Sequence, residues 1–383
     1  MFRREWNRFR QTWGVSGELS DCKIESDDIA RWQIETTGPN WHVSTHYEFL
    51  RLELLIRANL GQPFWLQLAR AARWICEDIF SGAMLRVFRA STRMGVLLIY
   101  SQVLLVLWLA AALTGGWFTA SAIDPPGGPL AVKLGLAAAF AVGCFALLYP
   151  LAKVMFVNQL NNCWPYLREF ARGKPTGFDH ATDLLAAHIV DAARAHESDE
   201  ILVVGHSAGA MLALTTMVKA LALDPDVGRH GPRISVVTVG SIMPTLALHP
   251  AAEPLRRTVA AMAQERTVLW TECQSSDDFM NYPGFDPVAG IGADPGDRRC
   301  NPTIWPVPVR QMIAPEVFAK VKFNYWRMHY QYIMSNDRRA SYDYYMFLCG
   351  PAPFADWAAQ DGSVCAAFDA DGRYRVSEMK AAE

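Results

Sequence analysis

The 383-residue chain predicts an α/β fold that is interrupted by two membrane-spanning helices. From about Asp179 to Gly350, short β-branched runs alternate with stretches of helix-forming composition, which is typical of a sheet covered by helices. Two long runs upstream of this region contain no charged side chain. We therefore expect a mostly parallel sheet with helices on both faces, together with a two-helix transmembrane hairpin.

The two charge-free runs extend from Met94 to Ile123 and from Leu134 to Ala152. Each reaches the roughly 20 residues that a helix needs to cross the hydrocarbon core of a bilayer. The segment between them contains Asp124 followed by three prolines and two glycines, which favour a tight reversal. The pattern predicts a membrane hairpin, and the alternative is a helical hairpin buried in a large soluble core.

Basic residues flank the predicted hairpin on its outer sides. They are Arg86, Arg89 and Arg93 before it and Lys153, Arg168, Arg172 and Lys174 after it, whereas the connecting segment has only Lys133. The positive-inside rule then places both chain ends in the cytoplasm. The chain is divided accordingly into an N-terminal part (residues 1–93), the hairpin (residues 94–153) and a larger C-terminal region (residues 175–383).

Composition narrows the classes of protein. The formal net charge of −2 gives no global attraction for nucleic acid, so a nucleic-acid partner is not expected. The eight cysteines include no closely spaced pair, which argues against a zinc ribbon or a redox dithiol and favours free thiols in a reducing compartment. No metal or cofactor motif is visible, and no glycine-rich phosphate loop precedes a helix.

One motif carries chemistry. The apolar run Ile201–Val204 leads directly into Gly205-His206-Ser207-Ala208-Gly209, and a stretch of helix-forming composition follows up to Leu221. This order predicts a strand, a sharp turn and a helix. Such a nucleophile elbow needs small residues two before and two after the serine, and it places the hydroxyl where the helix N-terminus faces developing negative charge.

At this motif the chain resembles the α/β-hydrolase superfamily of lipase-like and esterase-like serine hydrolases, and Ser207 matches the family's nucleophile. The family order is serine, then acid, then histidine. Three histidines follow Ser207: His230, His249 and His329. A predicted strand ends near Gln274, where the family places its acid, and only His329 lies downstream of that point.

The resemblance thus implies a catalytic triad of Ser207, Asp278 and His329, with the backbone N–H of Ala208 in the oxyanion hole. Asp277 and Asp286 remain alternative acids, and Asp278 is favoured because it precedes the apolar pair Phe279-Met280. The second oxyanion donor, expected from a loop after an early strand, is unassigned.

The N-terminal part has its own patterns. Trp32–Thr37 and Trp41–Tyr47 predict two strands joined by a turn, which we expect to open the same sheet, so that the membrane hairpin is inserted into one domain. Phe2, Trp6, Phe9 and Trp13 recur at helical spacing among arginines. That helix, and a second aromatic and basic stretch from Phe64 to Ile79, either pack on the sheet or lie on an anionic membrane surface.

Together these patterns predict a membrane-anchored serine hydrolase that faces the cytoplasm and cleaves a lipid ester or a small acyl ester without a cofactor. Two alternatives share the fold. One is an acyltransferase that uses the same triad, and the other is a membrane scaffold that has lost catalysis.

Overall fold

The computed structural model describes residues 1–24, 29–51, 64–123, 129–154, 157–360 and 362–375. The tight reversal predicted between the hairpin helices falls largely on residues 124–128, which lie outside the described residues. The side chains of Phe64, Trp65 and Leu68 lie outside them as well.

A parallel sheet of four strands forms the centre of the C-terminal region. Its strands are β5 (Glu200–His206), β6 (Arg233–Val239), β7 (Val268–Gln274) and β8 (Thr303–Pro306), paired in sequence order. Successive side chains face opposite layers: Val236 belongs to one apolar cluster, and Val237 and Val239 belong to the other. The predicted α/β class is confirmed, while the narrower α/β-hydrolase architecture stays a prediction.

Helices cover both faces of this sheet and fill the connections. Those before the sheet are α1 (Phe2–Trp13), α2 (Phe64–Phe80), α3 (Ala83–Ala90), α4 (Thr92–Ile123), α5 (Leu130–Val154), α6 (Val157–Ala171) and α7 (Gly177–Ala195). Those within and after it are α8 (Gly209–Leu223), α9 (Met243–Ala247), α10 (Glu253–Gln264), α11 (Val309–Met312), α12 (Pro315–Val321), α13 (Tyr325–His329), α14 (Tyr344–Cys349), α15 (Phe354–Ala358) and α16 (Ser363–Ala366). Short 3-10 turns occur at Ala289–Ile291, Gly296–Arg298 and Tyr330–Ile333.

The N-terminal strands form a second, antiparallel sheet. The predicted pair is present as β3 (Ile29–Thr37) and β4 (His42–Leu50), and β1 (Ser16–Leu19) and β2 (Lys23–Ile24) pair with the other edge of β3. The expectation that this pair opens the parallel sheet is therefore wrong. Both edges of β3 are occupied, and β4 is tied to α14 by a hydrogen bond from Thr45 Oγ1 to the Leu348 carbonyl at 2.8 Å.

The first helix belongs to the core of the protein. Trp6, Phe9 and Trp13 are at most 1% exposed and share an apolar cluster with Val237 and Val239 of the parallel sheet. The sequence allowed this helix either to pack on a sheet or to lie on a membrane surface. In the structure it packs on a sheet. Helix α1 thus covers one face of the C-terminal sheet.

The second aromatic and basic helix, α2, is anchored through Trp74. This side chain stacks on Trp164 of α6, with ring centroids 6.4 Å apart, and the guanidinium of Arg168 lies 4.9 Å from its ring. Ile79 and Phe80 at the end of α2 are 57% and 88% exposed. The helix is therefore packed on one side and apolar at its exposed end.

Helices α4 and α5 lie against each other. A side chain at Gly116 would meet the Ala137 carbonyl oxygen at 2.6 Å, so the two backbones touch at this glycine. Among the described residues one stretch, Val106–Ile123, is long and apolar enough to cross a membrane, and Leu130–Cys144 is a shorter apolar stretch. Only 18% of Val106–Ile123 is buried inside the protein, so most of this stretch lies outside the core, and its insertion in a membrane stays a prediction.

Candidate active site

The predicted elbow joins β5 to α8. Ser207 follows the last residue of β5 and has φ of +58°, the left-handed conformation that costs a non-glycine residue about 1–2 kcal/mol. Its N–H donates to the Val239 carbonyl at 3.0 Å, which continues the ladder to β6. The half-buried serine therefore sits at the carboxyl edge of the parallel sheet, at the start of a 15-residue helix.

The two glycines of the motif differ in their surroundings. A Cβ on Gly205 would meet the Gly209 carbonyl oxygen at 2.5 Å and the Ala210 Cα at 2.7 Å. A Cβ on Gly209 would meet no atom within 4 Å. A close backbone approach therefore explains the need for a small residue at Gly205, and no such approach is present at Gly209.

His329 pairs with Asp278. The Nδ1 atom of His329 lies 2.8 Å from Asp278 Oδ2, and the two side chains are 3% and 0% exposed. A carboxylate oxygen accepts this hydrogen bond, so Nδ1 carries the proton and Nε2 of the neutral ring has a free lone pair. The imidazole is thus held in the tautomer that suits a general base.

Asp278 is fixed by further donors. The Met280 N–H donates to Oδ1 at 2.8 Å, and Asn281 Nδ2 donates to Oδ2 at 2.9 Å. The same amide group donates to the Tyr332 hydroxyl at 2.7 Å. These bonds, two within the 275–282 loop and one to Tyr332, position the carboxylate before any ligand arrives.

The alternative acids lie elsewhere. Asp277 is partly exposed and has a long ion pair of 3.4 Å with Arg310. Asp286 forms a two-pronged ion pair with Arg299, with distances of 2.7 and 2.9 Å. Neither is hydrogen-bonded to His329 within the described part of the chain, so the geometry selects Asp278 as the partner of His329.

Gly240 locates His329 relative to Ser207. In the register of the parallel strands His206 is the partner of Val239, so Ser207 and Gly240 follow at the same level of β5 and β6. A Cβ on Gly240 would come within 3.2 Å of His329 Cε1 and 2.7 Å of Tyr332 Cε2. The imidazole of His329 therefore lies against the residue beside Ser207. Among the described residues no hydrogen bond joins Ser207 Oγ to His329.

His206, the residue before the serine, supports the same loop. Its Nε2 donates to the backbone carbonyl of His329 at 2.9 Å, and the two imidazole centroids are 4.6 Å apart. Desolvation of this half-buried ring, together with its proximity to His329, lowers the pKa of His206 to about 3. His206 is therefore neutral at physiological pH, with its proton on Nε2.

The backbone N–H groups at the start of α8 are candidate donors for an oxyanion. In the described residues, no hydrogen bond is formed by the N–H groups of Ala208 and Gly209. Free N–H groups at the first turn of a helix are suited to an anion. Among the described residues the parallel sheet has no strand before β5, so the second oxyanion donor stays unassigned.

Among the described residues neither of the other two histidine candidates forms a hydrogen bond with an acid. His230 is exposed in the turn before β6. His249 contacts Ser81 and Arg172 at 3.3 and 3.0 Å. His329 is the one of the three that meets an acid at the carboxyl edge of the sheet.

The start of the hairpin reaches the loop that carries Asp278. Arg93 Nη1 donates to the Ser276 carbonyl at 2.8 Å. Met94 and Leu98 of α4 belong to the same apolar cluster as Met280. The carboxyl edge of the sheet therefore lies beside the base of α4.

A buried acid lies behind this edge. Glu272 of β7 is 2% exposed and makes a short hydrogen bond with Thr238, whose hydroxyl oxygen also accepts from Trp270 Nε1 at 2.8 Å. Burial raises the pKa of Glu272 to about 8. A neutral carboxyl that donates to Thr238 satisfies this network, because the threonine hydroxyl can then donate to the Thr271 carbonyl, 3.3 Å away.

Sequence reasoning missed Gly240 and the contact that His206 makes with the His329 backbone. Gly240 follows β6 directly and offered a signal, since a glycine after a buried strand can mark a close approach. The support that His206 gives to the His329 backbone offered none. No family model, curated protein or solved structure matches the chain.

Proposed function

We propose that this chain is a membrane-anchored serine hydrolase that cleaves an ester through Ser207, His329 and Asp278. The observation that carries the proposal is the buried hydrogen bond between His329 and Asp278, located next to a serine held in a left-handed turn. Each feature alone is compatible with a packing role. A nucleophile, a base and an acid at one sheet edge are the combination that acyl transfer from an ester requires.

In the first half of the reaction, Ser207 Oγ attacks the ester carbonyl carbon while His329 Nε2 takes the hydroxyl proton. Asp278 accepts a hydrogen bond from the Nδ1–H of His329 throughout, and its negative charge stabilises the imidazolium that forms. The proton then passes from His329 to the alcohol oxygen as the carbon–oxygen bond breaks. The Ser207–His329 hydrogen bond needed for this step would form on substrate binding.

The developing oxyanion would accept a hydrogen bond from the Ala208 N–H, which has no other acceptor among the described residues and lies at the N-terminus of α8. In the second half, His329 takes a proton from water, and the hydroxide attacks the acyl carbon. Ser207 leaves with the proton from His329. No step in this sequence requires a metal or an organic cofactor.

A lipid ester is the proposed substrate class, and the anchor is the proposed reason. The exposed apolar surface of Val106–Ile123 and the contact between Arg93 and Ser276 support a site beside a bilayer. The basic residues on the outer flanks of the hairpin support a cytoplasmic active site and cytoplasmic termini.

A fluorophosphonate probe tests the enzyme proposal. The purified full chain should be labelled, Ser207→Ala should abolish labelling, and Ser241→Ala should retain it. Ser241 is a buried serine at the same sheet edge that holds no catalytic position here. An unlabelled wild type, or labelling that survives Ser207→Ala, would favour the scaffold alternative. Competition between water and added alcohols would then separate hydrolysis from acyl transfer.

A further inference from the structure

A surface cavity of about 580 Å³, wide open to solvent, lies beside the base of the hairpin. One wall is formed by Arg86, Arg89 and Ala90 of α3, which ends two residues before α4 begins. The opposite wall includes Phe285 and the turn Ala289–Gly292. Ser207, Asp278 and His329 do not line it, so this cavity is distinct from the candidate active site.

The lining of the cavity is positive. Three of its ten lining residues are arginines (Arg86, Arg89 and Arg256), and none is acidic. Arg256 is held in place, because it donates to the Ala247 and His249 carbonyls at 2.8 Å and pairs with Glu253 at 3.0 Å. It braces the wall, and its ion pair with Glu253 offsets its charge. The positive charge available to a ligand therefore comes from Arg86 and Arg89.

The other two arginines have donors to spare. Arg86 makes one long hydrogen bond, of 3.4 Å, to the Leu248 carbonyl. Within the described residues Arg89 makes none, and both side chains are exposed. A guanidinium has five N–H donors in a planar fork that matches the oxygens of phosphate.

Apolar groups lie next to these cations. Leu248, Phe285 and Ile291 line the same cavity. The combination of free guanidinium groups and an apolar wall fits a ligand that carries a phosphate on a hydrocarbon body. From this arrangement we propose that the cavity binds a phosphate group, with the headgroup of an anionic phospholipid or a free phosphate as its source.

The test is direct binding to the full chain in a neutral detergent, with Ser207→Ala as the background so that hydrolysis cannot consume the probe. Two probes are titrated by calorimetry: dihexanoyl phosphatidic acid and inorganic phosphate. Tighter binding of the lipid points to a headgroup, whereas equal binding points to a free phosphate. Both results support the cavity as a phosphate site, and because binding is the readout they do not depend on the proposed hydrolase activity.

Arginine variants assign the binding to the cavity. Arg89→Gln breaks no hydrogen bond found in the described residues, so it should fold normally and weaken binding about tenfold. Arg86→Gln with Arg89→Gln should weaken it further. The matched control is Arg257→Gln, an exposed arginine next in sequence to Arg256 that does not line the cavity and whose one ion pair in the described part of the chain is with Glu253. The proposal is overturned if neither probe binds, if the double variant binds like the parent, or if Arg257→Gln weakens binding equally.

Discussion

His329 and Asp278 are 51 residues apart in the sequence, yet His329 Nδ1 lies 2.8 Å from Asp278 Oδ2 in a pair that is almost completely buried. Two segments bring them together: the loop after β7, which carries Asp278, and helix α13, which ends at His329. Asn281 holds the Asp278 carboxylate, and His206 holds the His329 backbone. The pair is thus positioned at the sheet edge on which both segments rest.

The neighbouring acids Asp277 and Asp278 provide a matched test of the pair. Asp278→Asn should reduce the kcat for hydrolysis of a p-nitrophenyl ester by about three to four orders of magnitude, because an amide can force the wrong imidazole tautomer. Asp277→Asn should change kcat less than about twofold, since its partner is a surface arginine. Comparable losses in both variants would contradict the assignment.

The motif glycines provide a second matched pair. Gly205→Ala introduces a Cβ 2.5 Å from a backbone oxygen that cannot move without distorting α8, so the free energy of unfolding should fall by about 3 kcal/mol or more. Gly209→Ala meets open space at the first position of a helix and should leave stability unchanged or raise it by up to about 1 kcal/mol. Urea unfolding of the two variants measures both values. A tolerated Gly205→Ala would show that the turn is looser than described.

Local pattern was enough to predict the elbow. A β-branched run, a Gly-x-Ser-x-Gly motif and a helical stretch are all set by residues near one another, and β5, Ser207 and α8 follow that order. The choice between Asp277 and Asp278 was different, because both occupy the same loop and the distinction lies in which side chain turns inward. The adjacent pair Phe279-Met280 favoured Asp278, but adjacent sequence does not reveal the bond from Asp278 to His329 or the bond from Asn281 to Tyr332, each of which joins residues 51 positions apart.

The N-terminal strands show the same limit. Alternating polar and apolar residues predicted the β3–β4 pair, and the pair is present. Periodicity does not say which sheet a strand joins, since any strand edge offers the same backbone donors and acceptors. The ambiguity of α1 had a similar origin: its aromatic spacing fits either a sheet or a membrane, and only the three-dimensional contacts of Trp6, Phe9 and Trp13 decide between them.

Glu272 should make stability depend on pH. Its pKa is about 8 in the folded protein and ordinarily 4.5, so its contribution is fully present below pH 4.5 and is lost as pH rises towards 8. Glu272→Gln keeps a donor for Thr238 and removes this titration. Between pH 5.5 and 7.5 the variant should gain roughly 2–3 kcal/mol of unfolding free energy relative to the wild type.

Comparing the variant with the wild type at each pH cancels the effects of other groups. One of these is His206, whose lowered pKa acts in the opposite direction, with stability lost as pH falls from about 6.5 towards 3. Equal pH dependence in the two proteins would mean that Glu272 is ionised in the fold.

The N-terminal part should be required for the C-terminal region to fold. Deleting residues 1–60 removes Trp6, Phe9 and Trp13 from the cluster that contains Val237 and Val239, and truncating one buried aromatic residue alone costs about 3–5 kcal/mol. It also removes Trp13 Nε1, which donates to the buried Asp343 carboxylate at 2.8 Å. The truncated chain should lose its cooperative thermal transition and its labelling by the fluorophosphonate probe. Arg3→Ala, which removes an exposed ion pair with Asp21 and a long hydrogen bond to the Ser20 carbonyl, should retain both. A truncated chain that melts like the wild type and is still labelled would show that the C-terminal region is an independent domain.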